Sequence, residues 1–281
     1  MKVDFHCHTS ISDGALSPKA LVDLAKEKEI TTLAITDHDT TYGYELVRDY
    51  AKEQGIELIA ASEISCQWKG HTIHIVGLDV DIENPVLKAG LKVNRVKRWK
   101  RAFEIDTKFQ RRNLNGILED ILPQIQEGMI GRNHFAQALI HKGIVKNQQK
   151  AFDKYLKKGR PMYAEVDWPE LEEVVAWIKA ANGVAVIAHP HIYKMTSNKL
   201  NKMIEDFKTA GGQAIEVVNQ PRVCAEQTGM ADRAERFELH ASMGSDFHRP
   251  EHTWRGLGWL APMPKKCTPV WELFETSITT S

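Results

Sequence analysis

Val3-Asp4-Phe5-His6-Cys7-His8 reads as a short strand, followed by a loop that reaches Asp13. Side chains alternate across a strand with a period of two, so His6 and His8 project to one side and Cys7 to the other. Two imidazoles on one face with a carboxylate close behind are the donor mix that holds divalent metals. The competing reading is a buried strand that tolerates two histidines, and later stretches that repeat the device weigh against it. Cys7, on the opposite face, is read as core packing and not as a nucleophile.

Working outward, Ser17 and Pro18 can cap and open a helix to about residue 28. Residues 32–36 form an apolar strand that ends in Asp37-His38-Asp39, and a helix follows to Gln54. A third strand over 56–65 carries Glu63 near its end, and Gly70 marks a hairpin whose return, 72–80, carries His74. Late in the chain, apolar runs at 184–188, 214–218 and 239–244 precede His189-Pro190, Asn219 and Ser245-Asp246-Phe247-His248. Helical stretches at 169–181, 198–210 and 223–236 alternate with them. Strands alternating with amphipathic helices imply a parallel sheet with right-handed crossovers, whose active site lies at the carboxyl ends of the strands. His6, His8, His38, Glu63, His189, Asp246 and His248 all fall at or just after such ends, which points to a shared metal centre.

The chain has 281 residues, 42% hydrophobic and 26% charged, as in a soluble globular protein of barrel size. Lys plus Arg and Asp plus Glu both number 37, so no global field marks a nucleic-acid binder, and any anionic partner must meet local patches. The four cysteines lie far apart without a C-x-x-C pair, no run approaches a membrane span, and the N-terminus lacks an apolar signal core. The expected location is cytoplasmic, with no membrane and no protein partner implied.

From about 85 to 165 the alternation stops, and at least three helical stretches replace it. Val96, Trp99 and Phe103, and Phe135 with Leu139, are spaced as the core of a small helical unit. The stretch 92–112 holds nine basic residues (Lys92, Arg95, Lys97, Arg98, Lys100, Arg101, Lys108, Arg111, Arg112) against Glu104 and Asp106. It is either a solvated helix face or a surface that follows a phosphate backbone. In Gly131-Arg132-Asn133-His134-Phe135, Asn133 is the expected cap of a helix to about His141, holding Arg132 and His134 near a helix N-terminus that favours anions.

His6-Cys7-His8, Asp13, Thr36-Asp37-His38-Asp39, Glu63, His74, Ala188-His189-Pro190 and Ser245-Asp246-Phe247-His248 together resemble the polymerase and histidinol phosphatase (PHP) family over 1–84 and 165–260. The Gly-Arg-x-His-Phe-Ala helical insertion resembles one branch, the TrpH or RNase AM-like nucleoside 3′,5′-bisphosphate phosphatases and 5′-to-3′ exoribonucleases. The resemblance implies an α/β fold: a distorted (β/α)7 TIM-like barrel built from 1–84 and 165–281, with an inserted small helical lid domain at 85–164. It implies three divalent metal ions, most often manganese, although the donor types suit iron or zinc as well. By the resemblance, His6, His8, Glu63 and Asp246 hold the first ion, Asp13, His38 and His248 the second, and Glu63, His74 and His189 the third. One departure is that Ile192 stands where the branch carries a basic residue after Ala-His-Pro; Lys194, His191 or Arg222 are the candidate replacements.

The expected chemistry is hydrolysis of the phosphate ester of a nucleoside 3′,5′-bisphosphate, or of the 5′ end of a short 5′-phosphorylated RNA, by a metal-bridged hydroxide. Glu63, Arg132 and His134 are the expected catalytic residues, and Asp39, Arg132, His134, Asn219 and Lys194 the expected substrate contacts. His134, Asp39 or a metal-bound water could protonate the leaving oxygen. The alternatives are a histidinol-phosphate-type phosphatase and a metal-containing binding module without turnover.

Overall fold

The computed structural model describes residues 1–125, 129–252 and 255–276. Eight strands and nine α-helices follow in the order β1 (Val3–Cys7), α1 (Pro18–Glu27), β2 (Thr32–Ile35), α2 (Tyr42–Glu53), β3 (Glu57–Ile59), β4 (Ala61–Trp68), β5 (His71–Leu78), α3 (Pro85–Gln110), α4 (Ile117–Ile121), α5 (Arg132–His141), α6 (Gln148–Ala151), α7 (Leu171–Ala180), β6 (Val184–Ile187), α8 (Ser197–Ala210), β7 (Ala214–Val218), α9 (Ala225–Arg236) and β8 (His240–Met243), counted among the described residues. None of their helices is long and apolar enough to cross a membrane.

The strands form two sheets, β1-β2-β3, which is parallel, and β4-β5-β6-β7-β8, which is mixed. No continuous closed barrel forms among the described residues. The expected single strand over 56–65 is broken at Ala60: β3 pairs with β2, whereas β4 pairs antiparallel with β5 from Ala61↔Leu78 to Trp68↔His71. Glu63 therefore lies within a strand and not at its end. Lys69 and Gly70 close that hairpin with φ of 46° and 74°, the left-handed pair that matches strand twist. The sheets touch at two margins through the isolated bridges Cys7↔Phe247 and His38↔Glu63.

Between the sheets lies an apolar cluster with members from β1 through β7, including Val3, Phe5, Ala34, Ile59, Ala61, Val76, Val186 and Ala214. α1 and α2 cover the first sheet, while α7, α8 and α9 cover the second. The 85–164 segment has its own cluster, built on Ala102, Ile105, Phe109, Phe135, Leu139 and Leu156.

Asn84 caps α3 by accepting from the Val86 amide at 3.0 Å, with Pro85 at the first helical position. The helix is rotated from the expected orientation: Val96 and Phe103 are 46% and 57% exposed, and only Trp99 of that trio packs on the cluster. Asn94, Arg98 and Arg101 turn inward instead: Asn94 and Arg98 meet polar partners on β4 and on the turn after β2, and Arg101 lies over the Trp168 ring.

Candidate metal centre and substrate cavity

Strand geometry delivers most of the donors. His6 is in β1 and His8 just after it, His38 follows β2, Glu63 and His74 are within β4 and β5, His189 follows β6, and Asp246 and His248 follow β8. His189 and Asp246 have φ of 32° and 52°, a left-handed backbone uncommon outside glycine that recurs where the surrounding structure imposes a functional orientation. Gly244 is required by close approach, since a Cβ there would lie 2.3 Å from the His6 Cβ.

Four overlapping groups place their donor atoms within 4.8 Å of one another: His8, Asp13, His38 and His248; His6, Glu63 and His189; His6, His8 and Asp246; His38, Glu63 and His74. All nine donors expected from the sequence are in these groups. His6 Nε2 and His8 Nε2 stand 3.2 Å apart, two ring nitrogens aimed at the same point. The buried His38 Nδ1 has no hydrogen-bond partner even though Glu63 Oε2 is 3.0 Å away. Imidazoles and carboxylates that converge on common points without satisfying one another fit divalent cations, so the donor set passes that test.

Electrostatics agree. Burial raises Glu63, but the imidazoles of His74, His38 and His6 outweigh it and hold the carboxyl well below its usual range. Burial likewise raises Asp13 and Asp246, and His248 with its neighbours drives both well below 3.8. Burial would lower His8, but Asp246 and Glu63 push it up to about 10.

Residues outside the expected set hold the donors in place. Glu216 presents one carboxylate oxygen to His6 Nδ1 and accepts from the His189 amide at 2.6 Å with the other. A carboxylate behind a ligating imidazole fixes its tautomer and orientation. The sole sequence signal was an acid inside the fully buried run Ala-Ile-Glu-Val-Val. Asp37 accepts from the Thr9 amide at 2.8 Å and from Ser12 Oγ at 2.6 Å, fixing the loop that carries Asp13. Arg255 pairs with Asp246.

Asp13, His38 and His74 open onto a cavity of about 780 Å³, whose other walls include Arg98, Arg101, Arg132, Phe152, Tyr163 and Trp168. Arg132 lies over Phe152 and Tyr163, 5.7 and 5.9 Å from their ring centroids. A smaller cavity of about 330 Å³ shares Asp13 and Asn133 with it and is also lined by Ser10, His134, Gln137 and Arg249 among others.

The PHP domain profile matches residues 4–223. The chain belongs to the PHP family. It is similar to a 3′,5′-nucleoside bisphosphate phosphatase of Chromobacterium violaceum, 39% identical over 277 residues, 98% of this chain and 97% of that one. It is also similar to the 5′-3′ exoribonuclease Rnm of Escherichia coli K12, 37% identical, covering 97% of this chain and 93% of that one. Among solved structures, an amidohydrolase from Chromobacterium violaceum with bound sulfate and no metal aligns with a TM-score of 0.91 at 38% identity, over 97% of this chain and 96% of that one.

Within this PHP site the expected substrate contacts fare differently. Arg132 lines the main cavity and His134 the smaller one. Asp39 is fully buried and accepts from Arg98 Nε at 2.5 Å, Asn94 Nδ2 at 2.7 Å and the Ser65 amide at 2.9 Å, so it anchors α3 and has no free oxygen for a ligand or an acid role. Asn133 does not cap α5; Gly131 precedes the helix, His134 Nδ1 accepts from the Gly131 amide at 3.0 Å, and Asn133 Nδ2 donates to Asp13 at 2.5 Å. Asn219 is turned to His191 at 2.6 Å, and neither it nor the exposed Lys194 lines either cavity. His191 and Arg222, the other candidates to replace a basic group at Ile192, are likewise outside both linings.

Proposed function

We infer that this PHP protein hydrolyses the phosphate ester of nucleotides carrying two phosphates: nucleoside 3′,5′-bisphosphates, the 5′ end of short 5′-phosphorylated RNA, or both. The observation that carries the reading is a single cavity that joins three expected metal donors to three arginines and an aromatic wall. His6, His8, Glu63 and Asp246 would hold one divalent ion, Asp13, His38 and His248 a second, and Glu63, His74 and His189 a third, with manganese the first ion to try. Such ions supply Lewis acidity toward phosphoryl oxygens and lower the pKa of the attacking water. The chain's own part is positioning. Glu216 orients His6, Asn133 steadies Asp13, and Arg132 neutralises charge on the non-bridging oxygens of the reacting phosphate.

The finer fold belongs to the same reading. An apolar cluster fed by β1 through β7, with bridges at both sheet margins, supports a distorted barrel from 1–84 and 165–281. The separate cluster of 85–164, which supplies Arg98, Arg101 and Arg132 to the cavity, supports a helical lid. A histidinol-phosphate-type activity fits less well, because a small monoester fills neither the volume nor the cationic wall.

The test is turnover of the manganese-loaded protein on a nucleoside 3′,5′-bisphosphate, a 5′-phosphorylated oligoribonucleotide and histidinol phosphate. Hydrolysis of either nucleotide substrate well above histidinol phosphate is expected. The reverse order would overturn the reading.

A further inference from the structure

The smaller cavity, of about 330 Å³, has no part yet in the chemistry. The loop after β1 and the turn after β8 supply two of its walls, and they are tied together by the Ala15 amide, which donates to the His248 carbonyl at 2.7 Å. α5 supplies a third through Asn133, His134 and Gln137. Asp13 and Asn133 are the only described residues common to its lining and that of the main cavity. Both ends of the Asn133 amide are committed, Nδ2 to Asp13 and Oδ1 to Gln148 Nε2 at 3.0 Å, so this shared wall is fixed. The other polar groups are not committed. Ser10 Oγ and the Gln137 amide make no hydrogen bond among the described residues, and Arg249 Nε is buried without a hydrogen-bond partner.

A buried donor without a partner costs free energy that a ligand can return. Amides, a hydroxyl and one guanidinium, with Asp13 the sole acid among the described lining residues, match the polar edges of a base and the hydroxyls of a ribose. The volume is at the lower end of the roughly 300–1,000 Å³ of small-ligand pockets. Hydrolysis of either proposed substrate forms a P–O bond from water and breaks one P–O ester bond, the proton passing to the departing oxygen. A nucleoside 3′,5′-bisphosphate brings a single nucleoside to the reacting phosphorus, and the main cavity accommodates it. At an RNA end the same phosphorus carries a nucleoside on each of two ester oxygens, so a second nucleoside needs room beside the metal donors.

We propose that the smaller cavity receives the nucleoside on the 3′ side of the scissile phosphate, and so admits RNA ends as well as bisphosphates. The proposal rests on the phosphoesterase reading above and adds the place where the RNA continues. Gln137 and Arg249 hydrogen-bond the second nucleoside, and Asn133 holds the wall between it and the first.

The experiment compares three substrates of the metal-loaded full chain: a nucleoside 3′,5′-bisphosphate, the methyl ester of its 3′-phosphate, and the 5′-phosphorylated dinucleotide. The methyl ester has the diester chemistry without the second nucleoside, so the parent's kcat/KM is expected to be at least about tenfold higher on the dinucleotide. Gln137→Trp, which fills the smaller cavity, should lower kcat/KM on the dinucleotide at least about tenfold and on the other two by less than about threefold. Gln137→Leu, close to glutamine in volume, should give a smaller loss of the same selectivity, and it carries the comparison if the tryptophan variant does not fold. Apart from turnover, a hydrolysis-resistant dinucleotide with a methylenephosphonate link should bind the parent at least about tenfold more tightly than Gln137→Trp. Equal kcat/KM of the parent on methyl ester and dinucleotide, equal losses on all three substrates, or an unaffected dinucleotide would each overturn the proposal. Hydrolysis of the bisphosphate alone would overturn it and leave the phosphoesterase reading standing. Failure of the parent on all three would instead sink that reading.

Discussion

Glu63 meets five imidazoles: His74 and His189 at 2.8 Å through one oxygen, and His38, His8 and His6 at 3.0, 3.3 and 3.5 Å through the other. Replacing it by Gln removes the charge common to these contacts and leaves the strand packing intact. Glu63→Gln is expected to lose bound metal and more than about 100-fold in kcat/KM at nearly unchanged secondary structure. Elemental analysis beside circular dichroism checks it, and full metal content in an active variant would be the contrary result. His8, held up to about 10 in the metal-free centre by Asp246 and Glu63 after burial is overcome, gives a second expectation. Its folded value exceeds the unfolded 6.5, so its protonated form stabilises the metal-free protein fully below that pH. That contribution is lost as pH rises toward 10. A ligating imidazole must be neutral, so manganese affinity should rise with pH across this window, with release of on the order of one proton or more. Calorimetry in two buffers of different ionisation enthalpy measures this; pH-independent uptake without proton release would contradict it. His134 carries a third expectation. Because its Nδ1 accepts from the Gly131 amide at the start of α5, His134→Ala should cost about 1 kcal/mol of stability as well as any activity. Denaturant unfolding gives the value, and an unchanged midpoint would leave His134 with a purely substrate-facing role.

At the scale of single elements, α3 shows where sequence reading stops. The candidate donors stood out because strand periodicity puts His6 and His8 on one face and His38, Glu63, His189, Asp246 and His248 fall at or near expected strand ends, whereas the ligand roles of Asp13 and His74 and the division of all nine among ions came from the resemblance to PHP proteins. Glu216 was not legible, since its meaning depends on His6, which comes from the other sheet. Arg98 and Arg101 were misread for the same reason. The inward face of α3 is polar in its middle, so no amphipathic pattern betrays it, and its orientation is set by Asp39 and Trp168 from distant segments. The basic residues left exposed on this stretch are Lys92, Lys100, Arg111 and Arg112, on faces other than the one that lines the cavity. Reversing Lys100, Arg111 and Arg112 to Glu is therefore expected to change hydrolysis of a bisphosphate and of a 5′-phosphorylated oligoribonucleotide by less than about threefold. Each phosphate contact on a single strand adds about −0.7 to the salt slope, so a slope flattened by about 2 for the RNA alone would put its path along the outside of α3.

For the whole molecule, strand-helix alternation made the α/β class and the helical interruption readable, whereas the division into two sheets was not. That division follows from the break at Ala60 and from the antiparallel β4-β5 and β5-β6 pairs, which no local pattern announces. The donors come from β1 and the loop after it, the turn after β2, β4, β5, and the turns after β6 and β8, so bound ions would tie both sheets together. The 85–164 segment supplies no donor to these groups. It packs around its own cluster and reaches the centre through the Asn133 contact with Asp13. A ligand that binds the folded state alone stabilises it by about 2.7 kcal/mol at a hundred times its Kd, and on a chain of this size that moves Tm by only several degrees. The distribution of the effect is the sharper observable. On chelation, amides of β1, of β4 and of the turns bearing His189 and Asp246 should lose hydrogen-exchange protection, while those of the second half of α3 and of α5 after its first turn should hardly change. Uniform loss across both regions would mean that the helical segment and the two sheets open as one cooperative unit, and would remove the ground for treating that segment as a lid with a core of its own.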